Sequence, residues 1–212
     1  MLEHLKELRE KIKKNPNDDI LKEQFARDLF NTAIDFSEQG DSETAINLVN
    51  EIENLAKENT TNENILLYYG QTVLNTLPIY LGRTTQTEIK TRINMLREIA
   101  IQSNNKKMTD ILSMALVNAV YDFSLSNQTP SIHEFSLELI DLSRNNPKSL
   151  KIQTACAKGM MNAIMYFIQK DDIQAAEKYY EYLLKVIENN PKEEMVDSKK
   201  LIDLKEFFQH SN

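Results

Sequence analysis

Apolar and polar positions recur along this chain with a period of 43 to 44 residues. The phrase LVNAVYDF at 116–123 returns as MMNAIMYF at 160–167, and more loosely as LFNTAIDF at 29–36 and VLNTLPIY at 73–80. Each phrase places an asparagine directly after two apolar residues, and these anchor asparagines are Asn31, Asn75, Asn118 and Asn162. Self-similarity at a fixed period of this length predicts an array of helical repeats.

Each anchor asparagine lies within the same pattern of apolar positions. The residues six before, two before and two after it are apolar in every copy, the residue five before it is small, and the residue five after it is aromatic. At about 100° per residue, the apolar columns fall on one stripe of an α-helix. The pattern therefore predicts an amphipathic helix, helix A, whose asparagine points away from that stripe.

A second helix, helix B, is predicted in each copy. Apolar residues stand 21 and 24 positions after each anchor asparagine, a spacing typical of a helix. Between A and B, Gly40 and Gly82 suit a left-handed residue after the end of helix A, and Thr129 with Pro130 suits an N-cap followed by the first helical residue. Helix B ends in asparagine-rich punctuation such as RNNPKS and ENNPKE.

The repeat accounts for nearly the whole chain. Residues 2–14 are predicted to be an unpaired helix B and residues 197–209 an unpaired helix A, which cap the two ends of a stack. The predicted fold class is all-α, a right-handed α-solenoid of about ten antiparallel helices. In this prediction residues 1–212 form one domain, with repeats at 21–63, 64–106, 107–148 and 149–191.

Two phrases resemble tetratricopeptide-like repeats. FSEQGDSETAINLVNEIENLA at 36–56 has a glycine turn followed by an alanine-containing second helix, and QKDDIQAAEKYYEYLLKV at 169–186 is similar to it. The period is longer than the 34 residues typical of that family and lies near the armadillo and HEAT range, and the chain has no Trp. The resemblance implies a protein-interaction scaffold whose A helices line a concave surface.

The recurring asparagine has two interpretations. In the structural one, each amide bonds the backbone or an amide of the neighbouring repeat and fixes the register of the stack. In the functional one, the amides line a groove and bind the backbone of an extended peptide, because an amide offers both donors and an acceptor. Armadillo and tetratricopeptide repeats use groove asparagines in this way, so the resemblance supports the groove role. The structural interpretation is still the preferred one, and the two roles could coexist.

Four neighbours of the anchor asparagines are further candidates for partner binding. Arg27 and Lys158, one turn before an asparagine, could hold acidic groups of a partner, or be ordinary solvated charges. Tyr121 and Tyr166 could contact a peptide, or fill gaps between repeats. Pro78, inside the second helix A, predicts a kink that either marks a ligand site or adjusts curvature.

Charge is distributed unevenly along the repeats. The segment from Phe36 to Leu66 is acidic, and the segment from Arg83 to Lys107 is basic. These opposite faces could pair with each other, steer self-association, or simply be solvated.

Composition narrows the possible partners and the compartment. The net charge is −7, so the chain lacks the positive footprint expected for binding nucleic acid or anionic lipid, and neither DNA nor a membrane is an expected partner. No stretch approaches the roughly 18 apolar residues of a membrane span, and the start of the chain lacks an apolar signal core. The single cysteine, Cys156, favours a reducing compartment, and a cytoplasmic location is predicted.

The sequence predicts no catalytic, metal or cofactor site. His4, His133 and His210 lie far apart and lack zinc-ligand spacing. A chain with four glycines has no phosphate-binding loop or dinucleotide fingerprint. Cys156 stands in an apolar column of helix A, so a buried structural thiol is expected.

The leading functional hypothesis is therefore a scaffold or adaptor that binds a peptide or protein partner in a groove lined by the A helices. One alternative is a self-assembling structural protein, a homo-oligomer joined through its stack ends, with Phe207 and Phe208 exposed on the last helix. A weaker alternative is a helical-repeat RNA binder that uses the face from Arg83 to Lys107, against which the net charge of −7 argues.

Overall fold

Ten α-helices and no strands make up the part of the chain that the structure describes, as the repeat predicts. The structure, a computed structural model, describes residues 2–77 and 86–210, without the side chains of Gln86 and His210. The helices in chain order are α1 (Leu2–Lys14), α2 (Asp19–Glu38), α3 (Ser42–Glu58), α4 (Glu63–Thr76), α5 (Gln86–Ser103), α6 (Lys106–Leu125), α7 (Thr129–Asn145), α8 (Leu150–Gln169), α9 (Ile173–Glu188) and α10 (Ser198–His210).

Helices A and B alternate along the chain. The four anchor asparagines lie in α2, α4, α6 and α8, which are the A helices, and α1, α3, α5, α7 and α9 are the B helices. The predicted capping helix at 2–14 has those bounds, and the predicted helix at 197–209 is observed one residue later, as Ser198–His210.

Each A helix begins with a side-chain cap at the same position of the repeat, 13 residues before its anchor asparagine. Each capping oxygen accepts a hydrogen bond from a backbone N–H two or three residues later, at 2.9 to 3.4 Å, which satisfies a donor that the helix itself cannot pair. The four capping residues are Asp18, Asn62, Asn105 and Ser149. This polar column explains why the A helices start in register.

The asparagine-rich punctuation after the B helices also has a structural role. In four places an asparagine side chain donates a hydrogen bond to the carbonyl four residues earlier, at 2.7 to 3.3 Å. These bonds satisfy carbonyls in the last turn of a helix, which have no partner within it. The four are Asn15, Asn59, Asn146 and Asn190.

The turns between A and B match the predictions in part. Gly40 has φ +79°, the left-handed conformation expected after the end of a helix. The predicted N-cap at Thr129 is wrong, because α7 already begins at Thr129 and its cap residue is Gln128, which makes no side-chain cap bond. The Thr129 hydroxyl instead shares a 2.6 Å hydrogen bond with the hydroxyl of Tyr166. Gly82 and Pro78 lie outside the described residues.

The apolar columns of the A helices form the core. All residues six, five and two positions before the anchor asparagine, and two positions after it, are buried. In the aromatic column Phe123 and Phe167 are buried, Phe36 is half-buried, and Tyr80 lies outside the described residues. The apolar stripe predicted from the sequence is therefore the face that is buried on folding. Burial of this apolar surface is the main stabilising contribution to the fold.

Two compact units divide the chain, Met1–Ala115 and Leu116–Asn212, with the boundary inside α6. In the first unit α1 packs on α2, α2 packs on α3 and α4, and α4 packs on α3 and α5. In the second unit α8 packs on α7 and α9. None of the helices among the described residues is long and apolar enough to cross a membrane.

The acidic and basic segments pair in the first unit. Glu53 of α3 is buried, and its carboxylate accepts hydrogen bonds from Lys57 at 2.6 Å and from the Tyr69 hydroxyl at 3.2 Å. The same carboxylate forms an ion pair with Arg92 of α5, and the side chains of Glu53 and Arg92 are each 11% exposed. Burial lowers the pKa of Arg92. The interpretation that the opposite charges pair with each other is confirmed at this position.

Candidate functional site

The asparagine face, which we define as the anchor asparagines and the described residues one before, four before and three after them, lies on the side of the A helices opposite the core stripe. In the first unit Asn31 and Asn75 are exposed. The Asn75 amide donates to the carbonyl of Gln71 at 2.8 Å, a bond within its own helix. Arg27 is also exposed and pairs with the adjacent Asp28, with 3.2 Å between Nε and Oδ1.

In the second unit the amides stand beside apolar side chains. Asn118 of α6 and Asn162 of α8 are half-buried. Three positions after them stand Tyr121, 51% exposed, and Met165, 46% exposed. Lys158, one turn before Asn162, is exposed. Met165, which was not among the predicted candidates, occupies the same position of the repeat as Tyr121.

Tyr166 does not belong to the exposed surface. Its ring is 3% exposed and lies edge-on to Phe167, with 5.1 Å between ring centroids, while its hydroxyl bonds to Thr129 at the start of α7. This placement agrees with the interpretation of Tyr166 as a residue that fills a gap between helices. Of the predicted candidates in the second unit, Asn118, Asn162, Lys158 and Tyr121 remain accessible to a partner.

An open cavity of about 460 Å³ lies on the asparagine face of the second unit. Lys158, Met161 and Asn162 of α8 line it together with Val117 of α6. The rest of the lining comes from Lys200 and from residues 194–197, which connect α9 to α10. A non-helical segment of the chain therefore already lies over this part of the asparagine face, which the sequence analysis did not foresee.

Two residues near the end of this connection fix its position before α10 begins. Met195 is 4% exposed, so its side chain is an apolar anchor, whereas the flanking Glu194 is exposed. Asp197 caps α10 by accepting a hydrogen bond from the N–H of Lys199 at 2.8 Å. A buried methionine with the exposed acidic residues Glu194 and Asp197 on either side therefore lines this cavity.

Asp122, one turn after Asn118, is a buried carboxyl group without full compensation. The residue is 2% exposed, and no described residue bonds to its Oδ2 atom. Burial raises the pKa of Asp122 to about 6, because the charged form loses its hydration. At neutral pH the fold therefore carries a destabilising charge beside the asparagine face.

The groups with the greatest chemical reactivity are used in packing. Cys156 is 1% exposed, and burial raises the pKa of its thiol to about 11. His133 Nδ1 lies 2.6 Å from the Tyr179 hydroxyl, its ring packs on Phe167, and burial lowers its pKa. Among the described residues, no three His, Cys, Asp or Glu side chains are placed to hold a metal ion.

Two residues that were expected to support self-assembly or RNA binding make contacts within the fold instead. The expectation that both phenylalanines of the last helix are exposed is wrong for Phe208, which is 6% exposed and stacks on Tyr180 with 4.7 Å between ring centroids. Arg92 of the proposed RNA-binding face is paired with Glu53, as described above. Arg83, at the start of that face, lies outside the described residues.

No protein-family model, curated protein or solved structure matches this chain.

Proposed function

We propose that this chain is a protein-interaction module, a tetratricopeptide-like α-solenoid that binds an extended segment of a peptide or protein partner along its asparagine face. The observation that carries the proposal is the position of residues 194–197, which line the cavity on that face together with Met161 and Asn162. A surface that accepts a non-helical segment of its own chain has the shape and chemistry to accept one from a partner.

Contacts between equivalent helices support the solenoid part of the proposal. In the first unit Arg9 of α1 bonds Glu51 of α3 at 2.5 and 2.7 Å, so neighbouring B helices are joined. Arg92 of α5 bonds Asn50 of α3 in the same way, again 42 residues apart. The A helices α2 and α4 are also in contact. Contacts that link each repeat to the next are the defining feature of a solenoid.

The chemistry of the face determines what kind of segment would bind. The amides of Asn118 and Asn162 offer donors and acceptors that match a peptide unit. Tyr121 and Met165 offer exposed apolar surface beside those amides, and Lys158 adds a positive charge. A partner segment with apolar side chains and an acidic neighbour would satisfy all three features.

The experiment is a selection of peptides from a random library on the whole chain, followed by affinity measurements on variants. We expect the selected peptides to lose about tenfold or more in affinity for Asn118→Ala/Asn162→Ala, since each lost amide contact costs about 1 kcal/mol. The matched control is Asn47→Ala/Asn54→Ala, which removes two exposed amides from helix α3 and should bind as the unmodified chain does.

Denaturant unfolding of the same variants separates a binding role from a structural role. If each asparagine of the second unit contributes roughly 1–3 kcal/mol to the free energy of unfolding, the amides hold the repeats in register. If peptides bind equally well to both double variants, the asparagine face is not the binding surface and the proposal is wrong.

A further inference from the structure

A second cavity, of about 530 Å³, lies between α7, α8 and α9 and shares no lining residue with the asparagine face. Its volume falls in the range of about 300–1,000 Å³ that is usual for small-molecule sites. Five of its lining side chains are buried, each at most 7% exposed. Three are apolar, Ile140 of α7, Cys156 of α8 and Val186 of α9, and the polar Ser143 and Gln153 are paired, with the Ser143 hydroxyl donating to Gln153 Oε1 at 2.9 Å.

The rim of this cavity is positively charged. Arg144 lies at the end of α7 and Lys185 lies near the end of α9, and the charged group of each is 5.4 Å from the centre of the Tyr182 ring. Among the described residues that line the cavity, none is an aspartate or glutamate. Asp141 approaches Arg144 at 3.4 Å, but their side chains are 68% and 61% exposed, so this pair is weak and a stronger anion can compete with Asp141 for the guanidinium.

The charge of Arg144 acts on a buried residue of the cavity lining. Burial is the main influence on the Cys156 thiol and raises its pKa to about 11, whereas a hydrogen bond with Ser143 and the positive charge of Arg144 act in the opposite direction. A negative group inside the cavity would therefore be stabilised by the rim, and an apolar group would be stabilised by the buried residues beneath it.

We propose that this cavity binds a small amphipathic organic anion. Its carboxylate lies between Arg144 and Lys185, where the guanidinium can pair with both carboxylate oxygens. Its hydrocarbon part extends over Tyr182 toward Ile140 and Val186. The site is independent of the asparagine face, so it gives the proposed interaction module a separate place at which a small metabolite can bind.

The test is a titration of the full chain with sodium octanoate, followed by calorimetry and by the NMR shifts of the Ile140 and Val186 methyl groups. We expect saturable binding with shifts confined to the residues around the cavity. Octylammonium, which has the same chain length and the opposite charge, should bind about tenfold more weakly or not at all, because loss of a charge-assisted pair costs at least that factor.

Charge-removing variants locate the anion. Arg144→Gln/Lys185→Gln should weaken octanoate binding about tenfold or more. The matched control Lys178→Gln/Lys205→Gln removes two exposed charges elsewhere in the second unit and should leave binding unchanged. Val186→Phe, which fills the cavity, should abolish the binding without removing either charge.

Three results would overturn the proposal. The first is equal binding of octanoate and octylammonium, which indicates nonspecific apolar adsorption. The second is equal weakening in the two charge-removing variants, and the third is the absence of saturable octanoate binding. None of these results bears on the peptide selection, because the two sites share no lining residue.

Discussion

Replacement of Asp122 by asparagine should make the protein more stable at neutral pH. Asp122 is 2% exposed, and no described residue bonds to its Oδ2 atom. Asparagine has nearly the same shape and removes the negative charge that the site compensates poorly. The free energy of unfolding should therefore rise where the wild-type carboxyl group is ionised and not where it is protonated.

The magnitude follows from the pKa of Asp122, which burial raises from 3.8 to about 6 in the folded protein. Below pH 3.8 the carboxyl group is mostly protonated in both states and costs nothing. As the pH rises through this value the unfolded chain ionises first, so the folded state loses stability until the pH passes about 6. The full loss is about 3 kcal/mol, because each pKa unit corresponds to about 1.4 kcal/mol. The buried asparagine amide needs partners of its own, which reduces the gain at neutral pH to about 1–2 kcal/mol.

Urea unfolding of wild type and Asp122→Asn at about pH 4 and pH 7.5 measures this effect. The stability difference between the two proteins should change by about 2–3 kcal/mol between these pH values, in favour of the variant at the higher pH. Asp35→Asn is the matched control, because Asp35 occupies the same position of the repeat in α2 but is only half-buried. A difference that does not change with pH would show that the Asp122 carboxylate is compensated in the folded protein, and the reasoning would fail.

Two pairs of substitutions test the packing and the caps by chemical denaturation. Gly159→Ala should lower the free energy of unfolding by about 1–3 kcal/mol, because the added Cβ would lie 2.3 Å from Cδ1 of the buried Leu139. Gly70→Ala should cost clearly less, since its Cβ meets the flexible tip of Met108 at 3.0 Å and Cγ2 of Ile111 at 3.3 Å, and the helix gains propensity; equal losses at both positions would contradict the argument. Asp172→Ala removes the cap that accepts a 3.1 Å hydrogen bond in α9 and should cost about 1 kcal/mol. Gln128→Ala, at the equivalent position of α7 without a side-chain cap bond, should cost little, and a similar loss there would mean that the cap bond does not account for the effect.

The sequence predicts the helices of this protein well, because the residues that determine each helix lie close together in the sequence. The apolar columns around Asn118 and its equivalents identify which face of each helix is buried, and all described positions of four such columns are buried. The start of α7 was misplaced by one residue because Thr129 looks like a cap, whereas its hydroxyl bonds to Tyr166, 37 residues away. A local sequence pattern cannot show a contact between residues that are so far apart in the sequence.

The site was predicted less completely, because the periodic pattern shows which residues of a helix face away from the core but not which other segments of the chain pack over those residues. The anchor asparagines were identified, yet the position of Met195 beside Asn162 depends on the path of a segment that does not repeat. The pattern also did not show the burial of Asp122, because the equivalent positions differ in residue type and burial: Asp35 is half-buried, and Tyr166 is a buried aromatic residue.

The capping residues at the helix ends have a consequence for how the number of repeats in this protein can change in evolution. Each A helix has a capping residue before it, and most B helices have an asparagine after them. Each repeat therefore contains the residues that determine where its own helices begin and end. Duplication or deletion of a copy of about 44 residues would add or remove these capping residues together with their helices, and the boundaries of the remaining helices would be unchanged. The number of repeats can therefore change in whole units, in evolution or by design, and each change adds or removes one anchor asparagine.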